Sequence, residues 1–202
     1  VTVLTTTPHY NIDPAALARQ PITPLWGRLL GRSEFNGIPV FHITMPAKGR
    51  KVLARAFDYL RFHAVALAAT FQAVGPYDLV IAPSPPLTMG LIGWLQGVLR
   101  RAPAVYNVQE IYPDFLINQG YLRRRWQIAP LRALEKFVYA RNAMIVPISE
   151  WFAKTLEERG VPRHKLTVIP NFVDTQLYRP LPRRNAFAEQ HGLAALPVLA
   201  IG

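Results

Sequence analysis

No cysteine occurs in the 202 residues, which excludes disulfides and thiolate-held metals and leaves the redox compartment open. Histidine is sparse too. The five present are scattered along the chain, so no metal-ligand spacing can be read and no metal cofactor is expected. The most apolar helical segment, Pro86 to Leu99, is shorter than the ~20 residues a membrane-spanning helix needs. No charged stretch precedes an apolar run at the start, so a secretory signal is not visible. Acidic residues are few: 12 against 23 basic ones, a net charge of +11, with 18 of the cations arginine. Such a balance favours phosphates, anionic lipid head groups or nucleic acid, although an Arg-, Ala- and Pro-rich composition would also produce it. The basic clusters, Arg100-Arg101 and Arg123 to Arg125, are short. No RNA-binding aromatic signature, zinc-finger spacing or basic heptad helix accompanies them, so nucleic acid is not expected as a partner.

What is present is a regular alternation of strand-like and helix-like segments. Half of the residues are hydrophobic, enough for one sizeable core burying roughly 70% of the unfolded surface. Val1 to Thr7 is β-branched and reads as a strand. A polar, proline-rich stretch from Pro8 to Asn36 follows, and Ile38 to Met45 reads as a second strand. From Lys51 to Val74, apolar residues recur at Leu53, Phe57, Leu60, Ala64, Leu67, Ala68 and Phe71, the spacing of an amphipathic helix. Tyr77 to Ala82 is a buried strand. Pro83-Ser84-Pro85-Pro86 then opens a helix to about Leu99, with Ser84 as its N-cap and Pro85 as its first residue. Further strands are expected over Ala104 to Val108, Ala143 to Ile148 and Leu166 to Ile169. Further helices are expected over Trp126 to Ala140 and from Ser149 to Arg159, the latter closing at Gly160. Repeated β-α-β units imply an α/β fold: a Rossmann-like parallel sheet with helices on both faces.

Both ends read as interrupted elements. Val1 opens directly on a strand. Pro182 to Asn185 reads as a linker, Ala186 to His191 as a short helix and Pro197 to Ile201 as a strand. Gly202 falls where a glycine-rich strand-to-helix turn would continue. The expected division is an amino-terminal domain over 1–181, with 182–202 as the linker and first strand of a second α/β domain.

Open parallel sheets bind ligands at the carboxyl edges of their strands. Four segments place polar residues there: Ser84, Asn107 to Asp114, Ser149-Glu150, and Asn171 to Asp174. Strand-to-helix turns also select Ser, Asn and Asp for capping, so each has a local reading beside the functional one. In YNVQEIYPD, Tyr106 to Asp114, Gln109 adjoins Glu110, and Glu110 and Asp114 are four apart. An ionised carboxylate there accepts hydrogen bonds from sugar hydroxyls at two oxygens, or acts as base for an incoming hydroxyl. Alternatively Asp114 caps a turn and Glu110 pairs with an arginine. His9 and Tyr10 either face the same cleft or are ordinary loop residues. Trp94 with Arg100-Arg101, and Tyr121 to Trp126, read either as an interfacial patch for an anionic membrane or as a buried helix with solvated ends.

The stretch ISEWFAKTLEERGVP…KLTVIPNFVDT…YRP, Ile148 to Pro180, resembles the retaining glycosyltransferases of family four. These have the GT-B architecture, two Rossmann-like domains facing across a cleft. Their common pattern is a serine-led helix, a Gly-Val-Pro turn, and a strand ending in Ile-Pro-Asn-Gly-Val-Asp; Phe172 stands where Gly is more usual. Ser84-Pro85-Pro86-Leu87 and Gln109-Glu110-Ile111-Tyr112-Pro113-Asp114 look like the branch that builds bacterial exopolysaccharide, O-antigen and colanic-acid-type sugars, with Glu110 where Asp is commoner.

The resemblance implies that the chain is the amino-terminal, acceptor-side half of such an enzyme. The parent would move a hexose from a nucleotide-sugar donor to a lipid-linked or oligosaccharide acceptor, with retention and without a metal. It would be cytoplasmic and peripheral on the inner face of an anionic membrane. Glu110 is then the catalytic candidate. Ser84, Gln109, Asp114, Ser149, Glu150, Asn171 and Asp174 line the cleft, with Asn171 toward the donor and Asp174 holding the exit turn. The family's first strand and glycine-rich loop would precede Val1. Its basic pair and Glu-x7-Glu motif would follow Gly202. Those positive groups stabilise the departing diphosphate, so the polypeptide alone is expected to be inactive. The alternative, from another class, is a non-catalytic Rossmann-like module that binds a sugar phosphate or nucleotide.

Overall fold

In the computed structural model, which describes residues 1–8, 14–46, 52–71, 76–180 and 182–193, the proline-rich stretch after the first strand is not irregular. It holds helix α1 (Pro14–Arg19), a short strand β2 (Thr23–Pro24) and strand β3 (Leu30–Phe35), between β1 (Val3–Thr6) and β4 (Ile38–Ile43). These strands form one sheet in the order β1-β4-β3-β2, with β1 parallel to β4 but β3 antiparallel to it. The hairpin follows from Asn36-Gly37. Their φ angles of 49° and 78° lie in the left-handed region, which a type I′ hairpin turn requires of both central residues.

The rest follows the expected alternation: α2 (Val52–Ala69), β5 (Val80–Pro83), α3 (Thr88–Arg100), β6 (Ala104–Val108), α4 (Asp114–Asn118), α5 (Arg125–Arg141), β7 (Met144–Pro147) and α6 (Glu150–Glu158). Strands β5, β6 and β7 make a second sheet, parallel throughout and in sequential order. The expected strand at Leu166 extends it through a parallel bridge to Ile145. The N–H groups of Thr167 and Ile169 donate to the carbonyls of Ile145 and Pro147, each at 3.1 Å. The α/β architecture with a parallel sheet flanked by helices is therefore present, with an antiparallel hairpin added.

Two apolar cores support the sheets. Tyr106, Val108, Val138, Ile145 and Leu156 centre one of them. Leu30, Phe41 and Ile43 form the other, with Val65, Ala66 and Ala69 of α2 and Ile92 of α3. Helix α3 thus serves both. It lies close to its sheet because glycines face it: a Cβ on Gly93 would fall 2.5 Å from the Ala82 Cβ, and one on Gly97 would fall 2.7 Å from the Ala102 carbonyl oxygen.

Two expectations need correction, and one pair of alternatives is decided. Helix α3 starts at Thr88, after Leu87, and Ser84 does not cap it; the Ser84 hydroxyl is engaged elsewhere, as shown below. Helix α2 is amphipathic with a different inner face. Its small residues Val65, Ala66 and Ala69 pack on the sheet with Phe62, while Phe57, Leu60 and Phe71 are exposed. Small side chains allow the helix to sit close to β4, and the bulky ones are turned outward. Finally, Trp94 is not part of an exposed patch. It packs edge-on against Phe137 of α5 with centroids 5.2 Å apart, and the Arg141 guanidinium lies 5.7 Å from its ring. Tyr121, Arg123, Arg124, Arg125 and Trp126 are exposed.

The chain divides into two compact units, Val1–Ile169 and Pro170–Gly202. The second contains the expected short helix, α7 (Ala186–Gln190), capped by Asn185, whose Oδ1 accepts the Ala188 N–H at 3.0 Å. His9, Tyr10 and the strand expected over Pro197 to Ile201 lie outside the described residues. Among the described residues no helix is long and apolar enough to cross a membrane.

Candidate functional site

The register of the second sheet brings three of the four predicted segments to one edge. Pro83 aligns with Asn107, and Val108 with Pro147. The residues that follow each strand therefore emerge side by side. Ser84 continues the ladder by donating its N–H to the Asn107 carbonyl at 2.8 Å. Its buried hydroxyl then accepts the backbone N–H groups of Gln109 at 2.8 Å and Glu110 at 3.2 Å. Ser84 thus fixes the course of the next loop rather than starting its own helix. The Gln109 side chain donates to Asn107 Oδ1, and Asn107 Nδ2 donates to the Val146 carbonyl at 3.1 Å. The loop after β6 is held from β5 on one side and β7 on the other.

Glu110 is the residue this scaffold presents. Its Oε2 is buried and has no hydrogen-bond partner in the protein. The neighbouring Tyr112 phenol has its pKa pushed up to about 12, chiefly by burial and then by the charge of Glu110 and a hydrogen bond to it. Tyr59 of α2 adds a smaller electrostatic contribution. Beneath the loop, burial raises the Tyr106 pKa strongly, opposed by a hydrogen bond with Ser84.

Asp114 faces a different environment. At the first residue of α4, its carboxylate is held between Arg132 of α5 and Arg159 at the end of α6. Both arginines also hold Glu135, at 3.0 Å from Arg132 Nη1 and 2.5 Å from Arg159 Nη1. The result is a closed ring of two cations and two anions around Glu135, which is only 3% exposed. Arg132, Glu135, Lys136, Tyr139 and Arg159 line a depression of about 320 Å³ beside it. Burial disfavours the charge on Arg159, but Glu135 and Asp114 outweigh it and raise the pKa. Burial, and then Glu135, hold Tyr139 in its neutral form.

Ser149 is the N-cap of α6, accepting the Phe152 N–H at 3.2 Å. Glu150 is exposed and 3.8 Å from Arg163. Asn171 and Asp174 belong to the second unit. Asp174 Oδ1 accepts the N–H groups of Gln176 at 2.8 Å and Leu177 at 3.3 Å, holding a turn, and Asn171 is exposed. The structure therefore gathers Ser84, Gln109 and Glu110, places Ser149 on the same edge as a cap, and commits Asp114 to an ion-pair ring. Sequence reasoning missed Arg132, Glu135, Arg159 and Tyr112. The spacing of Arg132 and Glu135, three apart on a helix, was the one available signal for the ring. Among the described residues no group of three or more His, Asp or Glu could hold a metal ion.

Comparison with solved structures finds similarity to Anabaena Alr3699/HepE, determined in complex with UDP-glucose: TM-score 0.51 and 19% identity over 79% of this chain. The same protein with UDP and glucose gives 0.48 and 18% over 78%. The chain covers 38% of that relative's length in each case. The likeness is one of fold, the α/β architecture of the amino-terminal half of a GT-B glycosyltransferase. No curated protein matches. A family model described as Glycosyl transferase 4-like domain matches residues 1–171, and the chain belongs to that family.

Proposed function

We propose that the chain is the acceptor-side half of a retaining glycosyltransferase. The whole protein transfers a hexose from a nucleotide sugar to a lipid-linked or oligosaccharide acceptor in bacterial surface-polysaccharide assembly, at the inner face of the cell membrane. Family membership supports glycosyl transfer, and the UDP-glucose bound by the HepE relative supports a nucleotide-sugar donor.

The observation that carries the role of this half is the buried Glu110 oxygen without a protein partner. A carboxylate oxygen in that condition favours a hydroxyl donor, and the rim of a parallel sheet is where a ligand reaches it. Glu110 accepts the hydrogen bond of the acceptor's attacking hydroxyl and draws off its proton as the new glycosidic bond forms. Tyr112 orients the carboxylate, and Ser84 holds the backbone that carries it. Asn171 serves the donor side. Stabilisation of the departing diphosphate falls to basic groups of the other half, and transfer proceeds without a metal.

The test uses the full-length protein with a panel of nucleotide sugars and lipid-linked acceptors. Mass analysis reads the transferred sugar, and proton NMR reads the anomeric configuration. A product with retained configuration, formed equally in the presence of a chelator, is the expected result. Nucleotide-sugar binding without transfer to any acceptor would instead establish a binding module.

A further inference from the structure

Half-buried arginines in this fold are matched with carboxylates: Arg132 and Arg159 each hold two. Arg61 of α2 is also half-buried, yet among the described residues it forms no ion pair, not even with Asp58 one turn earlier. Its Nη2 donates to the Thr44 carbonyl at 2.7 Å, and its buried Nε has no partner. One of the five N–H donors of the guanidinium is thus engaged. A cation drawn partly out of water without a counter-charge is costly, so its position is informative.

That position is a strand edge. Thr44 directly follows β4, and Thr7 directly follows β1, the parallel neighbour. The rim there is held from both sides. Thr7 donates its N–H to the Ile43 carbonyl at 2.9 Å and accepts the Met45 N–H at 3.0 Å, while Thr44 donates to the Leu29 carbonyl at 3.0 Å. Side chains on a helix lean toward its N-terminus, which carries the Arg61 guanidinium back to this edge, where ligands of parallel sheets bind.

The same stretch of α2 borders the Glu110 site on another flank. His63 Nε2 lies 2.8 Å from the Thr88 hydroxyl at the start of α3, and Tyr59 acts electrostatically on Tyr112. Tyr59 and His63, four apart, share a face, whereas Arg61, two from each, lies on a different one. A ligand that meets both Glu110 and Arg61 must therefore carry its charge away from its reacting hydroxyl, as a sugar linked through phosphate at its anomeric carbon does. A guanidinium fork matches phosphate with two parallel hydrogen bonds.

We infer that Arg61 binds the phosphate of a phosphate-linked acceptor, anchoring the end remote from the hydroxyl that Glu110 meets. This rests on the proposed transfer reaction and names the acceptor's charged group. Binding is tested without transfer. In the 15N-labelled full-length protein, the Arg61 Nε–H signal, identified by its absence from Arg61→Lys, should shift when inorganic pyrophosphate is added.

Transfer is then compared between a glycosyl-diphosphate acceptor on a short water-soluble chain and the uncharged methyl glycoside of the same sugar. Arg61→Met should raise KM for the first about tenfold or more, the effect of a lost hydrogen bond to a charged group, with kcat retained. KM for the glycoside and for the donor should not move. Arg61→Lys, which keeps the charge but not the fork, should fall between. The melting point should be unchanged in both variants, since no carboxylate is left behind.

An unmoved KM for the diphosphate acceptor, or an equal rise for both acceptors, would overturn the inference. So would a rise in the donor KM alone, which would give Arg61 to the nucleotide. A lower melting point with wild-type KM would make it structural. A pyrophosphate shift without transfer to any acceptor would remove the glycosyltransferase reading and leave the phosphate site standing. Transfer without any shift would do the reverse.

Discussion

A buried polar atom without a partner costs about 1–3 kcal/mol, and more if it is charged; Glu110 Oε2 is such an atom. Under the proposed function, the acceptor hydroxyl is what removes that cost. Replacing Glu110 with Gln keeps the shape and removes the basic oxygen. In the full-length protein, kcat/KM for the acceptor should fall by about 10²–10⁴-fold, the usual contribution of a positioned acid or base, with no loss of melting temperature. Wild-type turnover by Glu110→Gln would remove Glu110 from the mechanism. Ser84 makes the complementary case. Substituting Ala leaves the Gln109 and Glu110 N–H groups without their shared acceptor. Stability should drop by about 1–3 kcal/mol in urea denaturation, and KM for the acceptor should rise as the loop loses its course.

Among the elements, α3 shows why an ordinarily stabilising change would fail here. Gly to Ala in a helix usually gains up to ~1 kcal/mol. At Gly93, however, the new methyl would meet the Ala82 Cβ at 2.5 Å, and neither atom has a rotamer by which to move. Gly93→Ala should therefore destabilise by roughly 1–3 kcal/mol, the range for overpacked cores, read as a lower denaturation midpoint. The ring joining α4, α5 and α6 follows a different rule. Glu135→Ala would strip both Arg132 and Arg159 of a carboxylate but leave each paired with Asp114, and should cost about 1.5–3 kcal/mol, the range for a lost hydrogen bond to a charged group. Elements whose signal is local were legible in the sequence: β6 falls where its apolar run predicts, and Ser149 caps α6. Elements decided by partners distant in sequence were not. Ser84 looks like an N-cap until Gln109 is beside it. Asp114 looks like a cleft residue until two arginines from other helices reach it. Phe57 looks like core until the sheet selects the small face of α2 instead.

At the scale of the whole molecule, acid should weaken the fold through the first sheet. His42 of β4 is buried, its Nε2 2.8 Å from the Ser33 hydroxyl, which in turn accepts from Gln20 Nε2 at 2.9 Å. Burial lowers its pKa below the ordinary 6.5, and a hydrogen bond to the Thr6 carbonyl only partly opposes this. The folded state therefore holds the neutral ring, while the unfolded chain takes up a proton near the ordinary value. Wherever the unfolded state binds more protons, stability rises with pH. The contribution of His42 is thus complete above about pH 6.5 and is lost progressively as pH falls from there through the lower folded value. Urea midpoints measured from pH 7.5 to pH 4.5 should decline across that window. His42→Gln, which cannot titrate, should decline less, so that the difference between the two proteins narrows as pH falls. A difference that is constant with pH would show that His42 is protonated as readily in the fold as outside it.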